Sequence, residues 1–107
     1  MKHVGMVIRV RPEKLAEYKK LHANPWPQVL EILRQYHVKN YVIYQHDDLL
    51  FGHLEYHGDD YQADMKKVAA HPVTQEWWTF TDPCQEPLAT RKPGEWWAEM
   101  DEVFFMA

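Results

Sequence analysis

A chain of 107 residues, 46% apolar, with 12 basic and 16 acidic side chains and a net charge of −4, is the size of one domain (residues 1–107) with enough apolar matter for a core. The single cysteine, Cys84, excludes an internal disulfide or a Cys-rich zinc site and points to a reducing, cytoplasmic compartment, and no run reaches the ~18 apolar residues of a membrane span. An acidic chain without a Lys/Arg cluster lacks the footprint for nucleic acid, while five Trp, six Tyr and four Phe exceed what a small core needs.

Residues 3–10 alternate, with Val4, Met6, Ile8 and Val10 on one face and His3, Gly5, Val7 and Arg9 on the other, the period of a strand. This stretch meets Arg9 too soon to be the apolar core of a secretory signal. Pro12 stands at the first helical position, and Glu13 to His22 follows with Leu15, Tyr18 and His22 on one stripe. Asn24-Pro25-Trp26-Pro27 breaks that helix, and Pro27 opens a second, whose stripe is Val29, Leu30, Leu33, Tyr36 and Val38. Asn40 to Gln45 and Leu49 to His57, joined by His46-Asp47-Asp48, predict a hairpin. Gly58-Asp59-Asp60 supplies turn and N-cap chemistry for a helix from Tyr61 to Ala70, and Pro72 starts a short helix bearing Trp77 and Trp78. Asp82 to Gly94 reads as a loop and Glu99 to Met106 as a last strand.

The order βαββαβ with one extra helical segment predicts an α+β fold, a ferredoxin-like antiparallel sheet with helices on one face. The other face, expected to hold Val7, Tyr41, Ile43 and several rings, needs cover. A symmetric dimer pressing two sheets together and a ligand pocket on that face are both expected.

Tyr18 and His22, four apart, share one helix face with Cβ atoms about 5–6 Å apart, close enough to act on one small substrate. Imidazole exchanges protons near neutral pH, and a neighbouring phenol orients a hydroxyl or relays the proton. The same spacing also serves packing and C-terminal capping. Trp77 and Trp78 point about 100° apart on a helix, so one ring anchors in the core while the other faces an opening. Flat sugar C–H faces stack on such rings, and sugar hydroxyls pair with Tyr O–H and Trp N–H groups. His53, Glu55 and His57 alternate on one strand face, but with no fourth ligand at a diagnostic spacing they read as a solvated face, and no metal site is assigned. No HExxH, P-loop, GxGxxG or GxSxG motif occurs.

Taken together, Tyr18-x-x-x-His22, Asn24-Pro25-x-Pro27 with Trp26, Asn40-Tyr41-x-Ile43-Tyr44, Leu50-Phe51, Trp77-Trp78 followed by Asp82, and Glu102-Val103-Phe104 resemble the L-rhamnose mutarotase family over nearly the whole chain. The resemblance implies a homodimer of the dimeric α/β-barrel type built by sheet contacts, no cofactor, and a monosaccharide, L-rhamnose, whose α and β anomers are interconverted. Carried over by matching positions, His22 is the proton donor, and Tyr18, Tyr41, Trp77 and Trp78 hold the sugar. The stretch from Pro83 to Met100, with Trp96 and Trp97, is longer than the family pattern and bears on pocket access and the dimer rim. The alternatives are a mutarotase for another 6-deoxy sugar such as L-fucose, a non-catalytic sugar-binding dimer, and a cofactor-independent oxygenase on the same plan.

Overall fold

The protein, here a computed structural model describing residues 1–107, builds five strands and four α-helices. In order they are β1 (Lys2–Val10), α1 (Leu15–Ala23) after a 3-10 turn at Pro12–Lys14, α2 (Pro27–Gln35), β2 (Val38–His46), β3 (Leu49–Tyr56), α3 (Tyr61–Ala70), α4 (Pro72–Thr81), a second 3-10 turn at Asp82–Cys84, β4 (Gln85–Glu86) and β5 (Ala98–Met100). Pro12, Pro27 and Pro72 each sit at a first helical position, where their missing N–H costs nothing. Asp60 caps α3, its carboxylate accepting from the Ala63 N–H at 3.1 Å. The expected short helix after Pro72 is a full ten residues, capped by His71.

The sheet order is β2-β3-β1-β4, all antiparallel, with β5 also on β1. Because β3 occupies one edge of β1 from Lys2 to Arg9, β4 (opposite Arg9 and Val10) and β5 (opposite Gly5 to Val7) share the other edge. The fourth strand of the ferredoxin-like plan is therefore present but split, with residues 87–97 looping out between its halves. This corrects the last strand predicted over Glu99 to Met106. Pairing begins at Ala98 and ends at Met100, opposite Gly5, three residues before β1 reaches its own end at Lys2. The tail leaves the sheet there, and Val103, Phe104, Phe105 and Met106 are exposed.

Two clusters form the core between sheet and helices, Ile8, Val10, Tyr18, Leu50 and Cys84 at one end and Val4, Val38, Leu54 and Tyr56 at the other. A register shift in β2 decides which face its aromatic residues take. Lys39 opposes Glu55 and Val42 opposes His53, so Asn40 and Tyr41 together face the single residue Leu54, with Asn40 at φ 49°. Beyond this bulge Ile43 opposes Gly52 and packs on the helix-side core, while Val42 and Tyr44 join Val7 and Phe51 on the uncovered face. Val7 thus lies where the alternation places it, but Ile43 lies on the opposite face from that expected.

Tyr56 is fixed at both ends of its hydroxyl, which donates to Asp64 Oδ2 at 2.5 Å and accepts from the Asp60 N–H at 3.0 Å. A Cβ on Gly58 would overlap that phenol and the His37 ring. Gly58→Ala is expected to cost about 1–3 kcal/mol, measured as a lower urea midpoint at unchanged slope, and an unchanged midpoint would contradict this packing.

Candidate active site

The last turns of α1 bring Tyr18 and His22 together, as their spacing predicts. Their rings stack with centroids 4.1 Å apart at 28°, and Tyr18 is buried while His22 is half-buried. Pro25 and Pro27 stop the helix immediately afterwards, which places His22 at its end. Both residues line a cavity of about 350 Å3, bounded by Leu15, Lys19 and Ala23 on α1 and by Ile43, Gln45 and Leu50 on the sheet. It opens on the helix-covered side, which overturns the expectation of a ligand pocket on the bare face for this pair. Lys19 is the one fully charged side chain along it, so the walls suit a neutral ligand.

The hydrogen bonds assign protons to atoms. His22 Nδ1 lies 2.9 Å from the Tyr18 carbonyl oxygen, and since a carbonyl only accepts, Nδ1 carries the hydrogen and Nε2 keeps its lone pair. Burial lowers the His22 pKa below the usual 6.5, against a smaller upward pull from that carbonyl, so the neutral imidazole prevails at neutral pH. At rest His22 is a proton acceptor at Nε2, whereas the family resemblance implies a donor. The Tyr18 phenol is pushed up to about 12, chiefly by burial, and remains a proton source.

Trp77 is buried behind the imidazole, edge-on to it at 5.6 Å, and is itself braced edge-on by Trp26 at 5.2 Å. Tyr41, re-aimed by the β2 bulge, is 38% exposed and does not bound the cavity; burial and then the Tyr18 and Tyr61 phenols push its pKa upward. Trp78 is the exception. It is 39% exposed and lines a separate open groove with Gln75, Thr79, Asp82 and Pro83. One ring in and one ring out is what adjacent helical positions dictate, and it is Trp77 that turns toward His22. His53 pairs with His3 at 3.2 Å, whereas Glu55 accepts from Asn40 at 3.1 Å and lies 3.0 Å from His57, so His53 is turned to a different partner from the other two.

Sequence reasoning missed Gln85 as a site residue. It is buried at the start of β4, its Nε2 lies 3.4 Å from the Tyr18 hydroxyl, and its Oε1 accepts from Trp96 Nε1 at 2.8 Å. Nothing in a two-residue strand carries a periodic signal, so only the tertiary pairing of β4 with Val10 reveals it.

The family model described as L-rhamnose mutarotase matches residues 3–106. The chain belongs to the L-rhamnose mutarotase family. It is 30% identical to the L-rhamnose mutarotase of Oceanobacillus iheyensis over 99% of both chains, and 28% identical to that of Listeria monocytogenes over all of both. A relative of that name from Rhizobium meliloti is 32% identical, covering 87% of this chain and 88% of its own. In fold it resembles the crystal structure of an L-rhamnose mutarotase from Formosa agariphila (TM-score 0.78, 19% identity, all of both chains). It also resembles the tetracenomycin F2 cyclase of Streptomyces glaucescens (TM-score 0.69, 21% identity, all of both chains). The same plan thus carries a polyketide cyclase as well as mutarotases, so membership of the L-rhamnose mutarotase family rests on the sequence match, and the chemistry must be argued from the site.

Proposed function

We propose that this chain is an isomerase that interconverts the α and β anomers of L-rhamnose by general acid–base opening and reclosure of the pyranose ring. The observation that carries the reading is the stacked Tyr18–His22 pair, one a neutral base with a fixed tautomer and the other a protonated phenol, lining a cavity of monosaccharide size. In the opening step His22 Nε2 takes the proton of the anomeric O1 hydroxyl, the bond from C1 to the ring oxygen breaks, and Tyr18 donates to that oxygen. The resulting aldehyde turns about the C1–C2 bond. On reclosure the ring hydroxyl returns its proton to Tyr18 and attacks either face of C1, while the imidazolium protonates the former carbonyl oxygen. His22 is then the proton donor of the second half, which reconciles its resting state with the role carried over from the family. Of the sugar-holding set carried over from the family, Tyr18 lines the cavity, Tyr41 lies near its phenol, Trp77 acts through the imidazole it backs, and Trp78, in its outer groove, stands apart.

The test is saturation transfer between the anomeric protons of L-rhamnose and, side by side, of L-fucose with catalytic amounts of protein. Faster exchange with rhamnose is expected. Exchange with fucose alone would move the substrate to another 6-deoxy sugar, and a sugar-induced Trp fluorescence change without any exchange would make the protein a non-catalytic binder.

The uncovered sheet face bears Val7, Val42, Tyr44 and Phe51, with the apolar tail beside it, and this supports a homodimer in which two such faces meet. Sedimentation equilibrium is expected to give twice the chain mass, and Phe51→Glu to give the monomer. No helix is long and apolar enough to cross a membrane, and the one thiol, Cys84, is free and buried, which supports a cytoplasmic setting.

A further inference from the structure

The Tyr18 hydroxyl has one proton to give, and its direction matters if it is to serve as an acid. The hydrogen bonds around Gln85 settle that direction. An indole N–H only donates, so the Gln85 amide must turn its oxygen to Trp96 Nε1 at 2.8 Å. Its NH2 then faces Tyr18, 3.4 Å away, and because NH2 also only donates, the phenol oxygen is the acceptor. The phenol proton cannot point back at Gln85, and no other protein group accepts it, which leaves the cavity that Tyr18 lines.

The frame is rigid at each point. Gln85 is only 4% exposed and is paired through its backbone with Val10, while the Arg11 N–H donates to the Cys84 carbonyl at 2.8 Å beside it. Trp96 comes from the loop between β4 and β5, whose turn is closed by the Glu95 N–H on the Lys92 carbonyl at 3.1 Å and by the Lys92 N–H on Glu95 Oε1 at 2.9 Å. The ring of Trp96 is 41% exposed, yet its N–H is turned inward.

We propose that Gln85, oriented by Trp96, is a positioning residue that aims the Tyr18 proton into the cavity and so fixes Tyr18 as the proton donor of the reaction. The proposal rests on the mutarotase reading above. It gives the stretch from Pro83 to Met100, which spans the two halves of the split fourth strand, a function at the site.

Gln85→Glu tests it, because shape and the Trp96 bond are kept while the group facing Tyr18 changes from donor to acceptor. A carboxylate oxygen there captures the phenol proton and draws it out of the cavity. The expected result is a kcat lower by roughly tenfold or more at about pH 8, with KM little changed. Activity is then expected to rise as the pH falls toward about 6, as the new carboxyl takes up a proton and can donate again. Tyr18, at about 12, and Cys84, raised from 9.0, stay protonated across that range, so the change reports the carboxyl against the background of His22. Trp96→Phe, which frees the amide to turn over, is expected to give a smaller loss of kcat without that rise.

Hydrogen exchange of the Trp96 indole proton supplies a readout besides activity, slow in the wild type and in Gln85→Glu and fast in Gln85→Met. A Gln85→Glu protein with the kcat and pH profile of the wild type would overturn the positioning role alone, as would a wild-type Trp96 indole that exchanges as fast as a free one. A wild type that does not accelerate anomer exchange would remove the mutarotase reading and this inference with it.

Discussion

Replacing His22 by alanine is expected to remove most of the acceleration of anomer exchange, a loss of ~10²–10⁴-fold in kcat, because no other group on the cavity wall offers a basic lone pair. Neither the Lys19 ammonium nor the Gln45 amide offers a basic lone pair, so neither replaces it. The fold should survive, since His22 is half-buried at a helix end and the stack on Tyr18 is worth only about 0.5–1.5 kcal/mol. Unchanged far-UV circular dichroism with lost exchange is the expected pair of results, and full activity in the variant would take the base away from His22. The pH profile gives a second check. Burial lowers the folded-state pKa of His22, so wild-type kcat should fall only below 6.5, as the lone pair is protonated. The same shift means that the unfolded chain takes up this proton first as the pH drops through 6.5. Acid therefore costs the wild type stability that His22→Ala does not lose.

Local rules carry far along this chain, and they fail where a partner strand decides. The three helix-opening prolines, the Asp60 cap and the Tyr18–His22 stripe are statements about neighbouring residues, and the structure keeps each of them. The four-strand antiparallel plan also follows from element order alone. Ile43 breaks the pattern because the bulge at Asn40 and Tyr41 inserts one residue opposite Leu54, and a one-residue slip sends every later side chain to the other face. The last strand stops early for a related reason. Glu99 to Met106 has strand-forming composition, but only Glu99 and Met100 of it pair with β1, and beyond Lys2 there is no edge left for its last residues. Gln85 and Trp96 lie eleven residues apart and meet only because β4 and β5 attach to separate segments of β1 with a loop between them. Such a meeting leaves no trace in spacing or periodicity. The aromatic excess of the sequence is partly explained by the file of Tyr18, His22, Trp77 and Trp26, in which each ring buttresses the next behind the cavity.

Tyr18→Phe separates the two halves of the proposed mechanism. The benzyl ring is retained, so the stack that orients His22 persists, and only the hydroxyl is lost. kcat is expected to fall by about 10²-fold, the low end of what a general acid supplies, because a water admitted to the cavity protonates the ring oxygen less effectively than a fixed phenol. The acid limb below 6.5 should remain, because it belongs to His22, whereas His22→Ala should abolish it. Stability should also drop, by about 1–3 kcal/mol, because the buried Gln85 NH2 loses the oxygen it donates to. The two replacements act on one proton circuit, so the double variant should be little worse than His22→Ala alone. Losses that multiply in the double variant would mean that the phenol and the imidazole work in independent steps, and a Tyr18→Phe enzyme with wild-type kcat would assign the donor to another group, with Tyr41 the first to replace.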